Sequence, residues 1–573
     1  MKIKVTNSLL AVFALYFIYN SWQGIYWKLD PHHDGYVYLP TFLAQFGLLP
    51  PQYAKSAYGI AQPVVESLFI SAFDNSIIAY RSIAFFLILG TALLIYRLIR
   101  SKASITISIV FSILWISANP LWANSIQEIS MSIQTPWPNM WVQILTLLAL
   151  LLVIKCKTFY NTKLFLVGAI ASTLPFFRIQ GLISTAFIVA LILFTKQNCR
   201  HFFIGTGIAS FLWILLIANN GGIMLYLNNI IVQPVEGLNQ YTTISNQLNF
   251  VKGLIGYYIF IYWLYLTLIL VLDFITFGKF RIKQWTNLPK SYKIMYVLIS
   301  VFVLVQYLET PNLWNRTIFN NSSSLVLDLA IPLAIETLAL FFICNKFKIN
   351  EIRSNFNLTI GLAIFVIVNL IHQYPLPDLG HRWWASAINA VFIFLLFFHH
   401  KNSFVYLQKN TSIKILIAFT FLISLINATI FMQNDTTLIN RDSPRQFNGI
   451  KISTGNENRT LNFLDSMKII NYLEKRKVNI DYKCRDGLYY VRDRDYTNKS
   501  AEALVFLPEV KRIDPAKFQS VSLYCNVSNM LLTSSLPSFS IIVGKSQGDI
   551  FIFHKSLYGI YLESKELMKD KNG

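Results

Sequence analysis

The sequence predicts an α-helical polytopic membrane protein with a small α/β domain at its C-terminal end. Three observations carry that reading. The 573 residues are 54% hydrophobic and only 13% charged, with a mean hydropathy of +0.48, too apolar for a soluble globular chain. Apolar runs near the ~20 residues needed to cross a bilayer recur along most of the length. Basic residues, which give a net charge of +21, gather in short connections between those runs. Their dispersal excludes a nucleic-acid-binding patch.

The first run, Ser8 to Trp27, is too long for a signal-peptide core and lacks a small-residue cleavage site, so it reads as a retained span. Basic clusters then recur at alternate connections: Lys2/Lys4, Arg97/Arg100/Lys102, Lys155/Lys157/Lys163, Lys196/Arg200, 279–293, Lys346/Lys348/Arg353 and Lys401/Lys409/Lys414. By the positive-inside rule this alternation gives ~13 spans, with a cytoplasmic amino end and an outer tail. The stretch 164–194 is too long for one crossing and short for two. A single crossing would invert every later basic loop, so two short helices are expected, meeting at Pro175 to Gly181 with Arg178 near the outer apex. The membrane domain is expected over 1–432, with a first outer loop at 28–76. After the last span the composition turns polar, marking 433–573 as an extracytoplasmic α/β domain. There Leu461, Leu464, Met467, Ile470 and Leu473 recur at helical spacing, and short β-prone runs follow, among them VSLYC, FSIIV and DIFIF. Cys156, Cys199 and Cys344 fall in or beside the basic loops. Cys484 and Cys525 fall in the tail, where an oxidising compartment permits a disulfide; two unpaired thiols are the alternative.

Ionisable residues cluster where the first run ends, in DPHHDGYVYLP. Charge at a membrane is costly unless it meets water, a partner or a cavity, so Asp30, His32, His33 and Asp34 mark a candidate site; a solvated interfacial cap is the plain alternative. The same outer face receives Glu128, Arg178, Glu309, Arg316, Asp378, His381 and Arg382. One carboxylate among several cations suits a displacement in which a hydroxyl loses a proton while a phosphate leaves. Guanidinium groups match phosphate geometry, which favours Arg178 and Arg382, with His381 beside them and Arg316 as a substitute. Glu128 is read as orienting an acceptor or pairing an arginine. His32 and His33 with Asp34 offer a divalent-metal option, weakened because neighbours in an extended loop point opposite ways. For the outer tryptophans, including Trp137, Trp141, Trp383 and Trp384, the default is the interfacial belt.

These residues resemble the GT-C class of polytopic glycosyltransferases, of the mannosyltransferase and aminoarabinose-transferase kind. The class places an essential acid just after the first span, and HHDGYVY is similar at Asp34. GLLPPQYAKSAYGIAQP resembles a glycine, proline and tyrosine pattern at Gly47, Pro50, Tyr53, Tyr58, Gly59 and, displaced, Pro63. FFRIQG resembles its short helical pair at Arg178 and Gly181. The departures are Asp34-Gly35 in place of an acidic pair and the missing proline after Tyr58-Gly59, which leave the subfamily open.

The resemblance implies an inverting hexosyl- or pentosyltransferase of the cell envelope in a bacterial inner membrane. Its donor is a polyprenyl-phosphate-linked sugar held in a lipid-facing groove, and its acceptor a glycan, lipid or protein. No cofactor is required by this reading, with a divalent metal as an option, and no nucleic acid is a partner. Asp34 is the implied general base, with Asp30 second, and Tyr58 joins the substrate-binding set. A lipid-linked oligosaccharide transporter, an O-antigen-type polymerase and a structural subunit stay open as alternatives.

Overall fold

A computed structural model describes residues 2–26, 31–52, 56, 58–73, 76–119, 135–154, 160–194, 199–232, 253–264, scattered positions from 267 to 305, 326–346, 357–373, 379–399, 438–440, 451–453, 458–483, 521–528, 538–543 and 547–568. Helices dominate the first two thirds. Two of them, Ile77–Arg100 and Arg200–Asn219, are long and apolar enough to cross a bilayer among the described residues, and nine shorter apolar helices accompany them.

The chain begins with α1 (Lys2–Gln23) and, after a short 3-10 turn, continues as α2 (Pro31–Ala44). Here the extended outer loop expected from sequence is corrected. Residues 31–44 are helical: Pro31 supplies the fixed φ that suits a first helical position, and Asp34 sits in the first turn, where a carboxylate meets the positive end of the helix dipole. Gly35, Val37, Tyr38 and Leu39 are buried, so the segment packs as an element of the core rather than as a solvated loop. Gly47 (φ +74°) stops the chain beyond α2. Its N–H donates to Ala44 O (3.1 Å) and Leu48 N–H to Leu43 O (3.2 Å), a left-handed cap that favours glycine.

Next come α3 (Ala61–Ile70) and α4 (Ile77–Arg100). Ser76 caps α4 by accepting from Ala79 N–H at 3.0 Å, and Arg97 and Arg100 lie in its last turn, against the negative end of the dipole. Beyond them α5 (Ile105–Ser117) and α6 (Pro138–Ile154) pack along α4. The expected helical pair is present as α7 (Tyr160–Phe177) and α8 (Gly181–Phe194), joined by the turn at 178–180. Gly181 is needed at that turn, because a Cβ would fall onto the Leu174 carbonyl. α9 (Arg200–Asn219) lies closest against α7, and small residues permit the approach: a Cβ on Gly168 would meet Phe202 O, and one on Gly205 would meet Phe165 O. Later helices Ala330–Lys346, Asn357–Val368, Leu379–Trp384 and Ala387–His399 close the bundle.

In the C-terminal part, the helix Asn458–Lys475 covers the expected periodic stretch and buries Leu464, Met467, Ile470 and Leu473. A four-stranded sheet runs in the order β3-β4-β6-β5, with β3 (Ile480–Lys483) parallel to β4 (Val521–Ser528). β6 (Gln547–Ile552) pairs antiparallel with β4 and with β5 (Ser540–Val543). Two short strands, β1 (Leu438–Asn440) and β2 (Lys451–Ser453), form a separate antiparallel pair. Ser466 donates to Asp549 Oδ2 at 2.7 Å, tying the helix to the sheet, and the same helix touches α2. The β-prone runs at 488–491 and 503–506 lie outside the described residues.

Replacing Gly168 by Val pushes side-chain atoms into the α9 backbone. Overpacking of this kind costs about 1–3 kcal/mol, and a lowered thermal midpoint of the detergent-solubilised protein is the expected readout.

Candidate active site

The site is built where α2, α3 and α4 meet the segment that leads into α6. Asp34 is fully buried and its Oδ2 lies 2.9 Å from Nη2 of Arg81, itself fully buried in α4. Arg81 Nη1 donates to Ile25 O at 2.8 Å, and Thr135 Oγ1 donates to the other oxygen of Asp34. The carboxylate is therefore held from two sides, by residues 47 and 101 positions away in sequence. Stripping water from two ions costs several kcal/mol each, so such a pair is a poor device for stability alone.

A second buried carboxyl, Glu66 of α3, stands nearby. It accepts from Trp141 Nε1 (2.7 Å), Gln62 Nε2 (3.1 and 3.2 Å) and Thr41 Oγ1 (3.1 Å). Four donated bonds come from neutral groups, and burial outweighs them: the carboxyl is pushed up from 4.5 to about 8. Tyr80 lies within electrostatic reach of both Glu66 and Asp34, which places the two acids around one tyrosine. Gln62 also donates to Pro136 O at 2.5 Å, so the 135–143 segment is fixed to both acids.

The same segment leads to the remaining polar groups. Trp137 packs edge-on to Tyr58 (5.9 Å), and the Tyr58 ring lies 5.8 Å from the guanidinium carbon of Arg178. The Tyr58-Gly59 motif now has a physical reason: Gly59 N–H donates to Phe177 O at 3.0 Å, and a Cβ there would collide with the Phe176 carbonyl. The loop can press Tyr58 against the Arg178 turn only with glycine next to it. Arg178 Nε donates to Gln180 Oε1 at 2.7 Å, and His372 Nδ1 lies 3.2 Å from Asn139 Oδ1.

Arg382 is placed differently. It is buried 3.6 Å from Asp328 Oδ2, with its guanidinium 4.6 Å from the Tyr257 centroid, while Tyr257 OH donates to Asp328 at 2.6 Å. This cation is engaged by a carboxylate and an aromatic face, those of Asp328 and Tyr257. The interfacial-belt default is corrected for three tryptophans. Trp137, Trp383 and Trp384 are each 3% exposed or less, with Trp383 stacked on Trp115 at 4.9 Å and the Trp137 ring tilted against Trp384 at 5.4 Å, because packing ring against ring inside the bundle buries more apolar surface than a lipid boundary does. Trp141 is tied to Glu66 and stacked on Phe177 at 5.4 Å.

Asp30, Glu128, Arg316, Asp378 and Cys484 lie outside the described residues. His32, His33, His381 and Cys525 have described backbones, helical for the histidines and in β4 for Cys525, while their side chains fall outside the description. The two adjacent histidines thus stand in a helical first turn rather than an extended loop. Among the described residues no group of three or more His, Cys, Asp or Glu side chains gathers to hold a metal ion.

Sequence reasoning passed over Arg81, Glu66, Asn139 and His372. Two carried a readable signal: Arg81 interrupts the apolar run IIAYRSIAFFLILG, and Glu66 is the lone charge of AQPVVESLFI.

Substituting Arg81 by Met leaves Asp34 buried without its cation, at a cost of about 3–5 kcal/mol. Adding Asp34→Asn recovers most of that loss, and a double-mutant cycle of unfolding in detergent checks the coupling. For Glu66, the folded protein holds a proton that the unfolded chain releases above 4.5. Its stabilising contribution is therefore complete below that pH and is lost as pH rises to about 8. Glu66→Gln, neutral at every pH, flattens this part of a thermal-midpoint against pH profile.

No family model and no curated protein sequence matches the chain. Among solved structures it is similar to the oligosaccharyltransferase of Archaeoglobus fulgidus in complex with Zn and sulfate, at 14% identity over 81% of this chain and 56% of that one. It is also similar to ArnT from Cupriavidus metallidurans bound to undecaprenyl phosphate, at 10% identity over 96% and 98%. A third is the archaeal oligosaccharyltransferase AglB from Archaeoglobus fulgidus in complex with an inhibitory peptide and a dolichol-phosphate, at 12% identity over 82% and 59%. The chain thus spans little more than half the length of the oligosaccharyltransferase. Each comparison has a TM-score of 0.40, a likeness too distant to carry any residue's role over to this chain.

Proposed function

We propose that this chain is an inverting glycosyltransferase of the GT-C kind, which moves a hexosyl or pentosyl unit from a polyprenyl-phosphate carrier to a glycan, lipid or protein acceptor. In this reading it works at the outer face of a bacterial plasma membrane, with its amino end in the cytoplasm and residues 433–573 outside. The observation that carries the proposal is the Asp34–Arg81 pair. A carboxylate placed one short turn beyond the first apolar helix is fully buried, ion-paired and held by Thr135, although such burial contributes little to stability. The resemblance of the sequence around Asp34, Tyr58-Gly59 and Arg178 to the GT-C class points the same way.

In the reaction, Asp34 takes the proton of the acceptor hydroxyl. The acceptor oxygen bonds to the anomeric carbon on the face opposite the phosphate. The bond from that carbon to the phosphate oxygen breaks, and its electron pair leaves with the polyprenyl phosphate. Arg81 and Thr135 hold the Asp34 carboxylate in one orientation, so the base needs no rearrangement as charge develops. A guanidinium facing the departing phosphate supplies the opposing charge.

Asp34→Asn keeps the side-chain shape but leaves Arg81 without its counter-ion; assayed well below its own unfolding transition, it is expected to lower transfer by about 10²–10⁴-fold. Membranes supplied with labelled polyprenyl-phosphate hexose and pentose donors provide the assay. Undiminished transfer by the variant removes the general-base role. Translocation of the labelled lipid with no glycosidic bond formed replaces the transferase by a transporter.

A further inference from the structure

Arg178 lies in the turn between α7 and α8 and is 9% exposed. Its polar contact is the bond from Nε to Gln180, and its guanidinium faces the Tyr58 ring. No carboxylate pairs with it among the described residues. A buried cation without a counter-ion is a large penalty, and the other two arginines buried among the described residues are offset: Arg81 has Asp34, and Arg382 has Asp328.

Beside it stand two further groups with unused capacity. His372 and Asn139 are buried, at 0% and 1% exposure, and come from segments 233 residues apart. An amide oxygen only accepts, so at 3.2 Å the imidazole donates from Nδ1 to Asn139 Oδ1. That bond turns Asn139 Nδ2 away from the ring. Nδ2 of Asn139 and Nε2 of His372 are then buried with no hydrogen-bond partner among the described residues. Burial, and after it the nearby charge of Arg178, push the His372 imidazole down to about 3, which leaves it neutral. Trp137, two positions before Asn139, packs on the same Tyr58 ring that faces Arg178, which draws the three groups into one neighbourhood.

We propose that Arg178 and the Asn139 amide form a phosphoryl-anion site for the lipid-linked donor, with His372 as the positioning residue that holds the amide in its donating orientation. This rests on the glycosyltransferase reading for the identity of the anion, and it deepens that reading by naming the side chains that meet the phosphate. The guanidinium supplies the charge, and Asn139 Nδ2 supplies a directed donor. Tyr58 closes one wall, and the turn at 178–180 fixes where the cation stands.

The test uses the full-length protein in detergent and reads the thermal midpoint and its titration with undecaprenyl phosphate. Undecaprenyl phosphate is expected to raise the midpoint, undecaprenol of equal chain length to leave it unchanged, and inorganic phosphate to compete. Arg178→Met is expected to weaken undecaprenyl phosphate binding tenfold or more while raising the midpoint of the ligand-free protein, since it removes an uncompensated buried cation. His372→Leu is expected to weaken binding several-fold, and His372→Gln, whose amide can donate to Asn139 Oδ1, to restore it. Binding is read with undecaprenyl phosphate alone, with no sugar and no acceptor present, so loss of this site and loss of the transfer reaction are separately visible. Binding unchanged in Arg178→Met overturns the proposal, as does a lowered ligand-free midpoint in that variant. Equal stabilisation by phosphatidylglycerol overturns the assignment to the lipid-linked donor.

Discussion

The buried pair between Asp34 and Arg81 is the constraint around which the site is organised. Its two partners belong to α2 and α4, and its third contact, Thr135, comes from the segment just before α6. Asp34 and Tyr38, one turn apart on α2, both reach α4, with the Tyr38 ring 5.0 Å from that of Tyr80. The chain leaving α5 must return to place Thr135 and Pro136. Because breaking either half leaves a charge stranded in a low-dielectric interior, the arrangement tolerates little drift.

Glu66 extends the same constraint without adding charge repulsion. With its carboxyl pushed up toward 8 by burial, it stands beside Asp34 as a largely neutral group near pH 7, and it collects donors from α2, α3 and α6. Trp141 links it to Phe177 at the end of α7, and Phe177 O receives Gly59 N–H. A continuous set of contacts therefore runs from the acid pair to the Arg178 turn. Residues 135–143 supply the shared backbone of that set, through Thr135, Pro136 and Trp141.

The buried arginines among the described residues divide by their partners. Arg81 is matched by Asp34 and Arg382 by Asp328 and Tyr257. Arg178 is matched by an amide oxygen and an aromatic face, neither of which carries a full negative charge. The same residue type thus closes a charge pair in two places, while in the third it meets only neutral groups among the described residues.

The sequence by itself determined the features that depend on short-range pattern. Spacing of apolar residues marked a helix over 460–476 and strands at 521–525, 539–543 and 549–553, and the structure has Asn458–Lys475, Val521–Ser528, Ser540–Val543 and Gln547–Ile552 there. Alternation of basic loops required a bend at 175–181, and α7 and α8 meet there. Asp34 stood out because few ionisable residues follow an apolar run so closely. Tertiary structure decided the rest: that 31–44 is a packed helix, that Arg81 rather than Arg178 or Arg382 pairs with Asp34, and that Glu66, Asn139 and His372 join the polar interior. Those outcomes turn on contacts spanning tens to hundreds of residues, 47 for Arg81 with Asp34, 101 for Thr135 and 233 for Asn139 with His372. A local pattern fixes which face of a helix is apolar, but the partner of a buried charge is set by whichever distant segment can desolvate it and return a hydrogen bond.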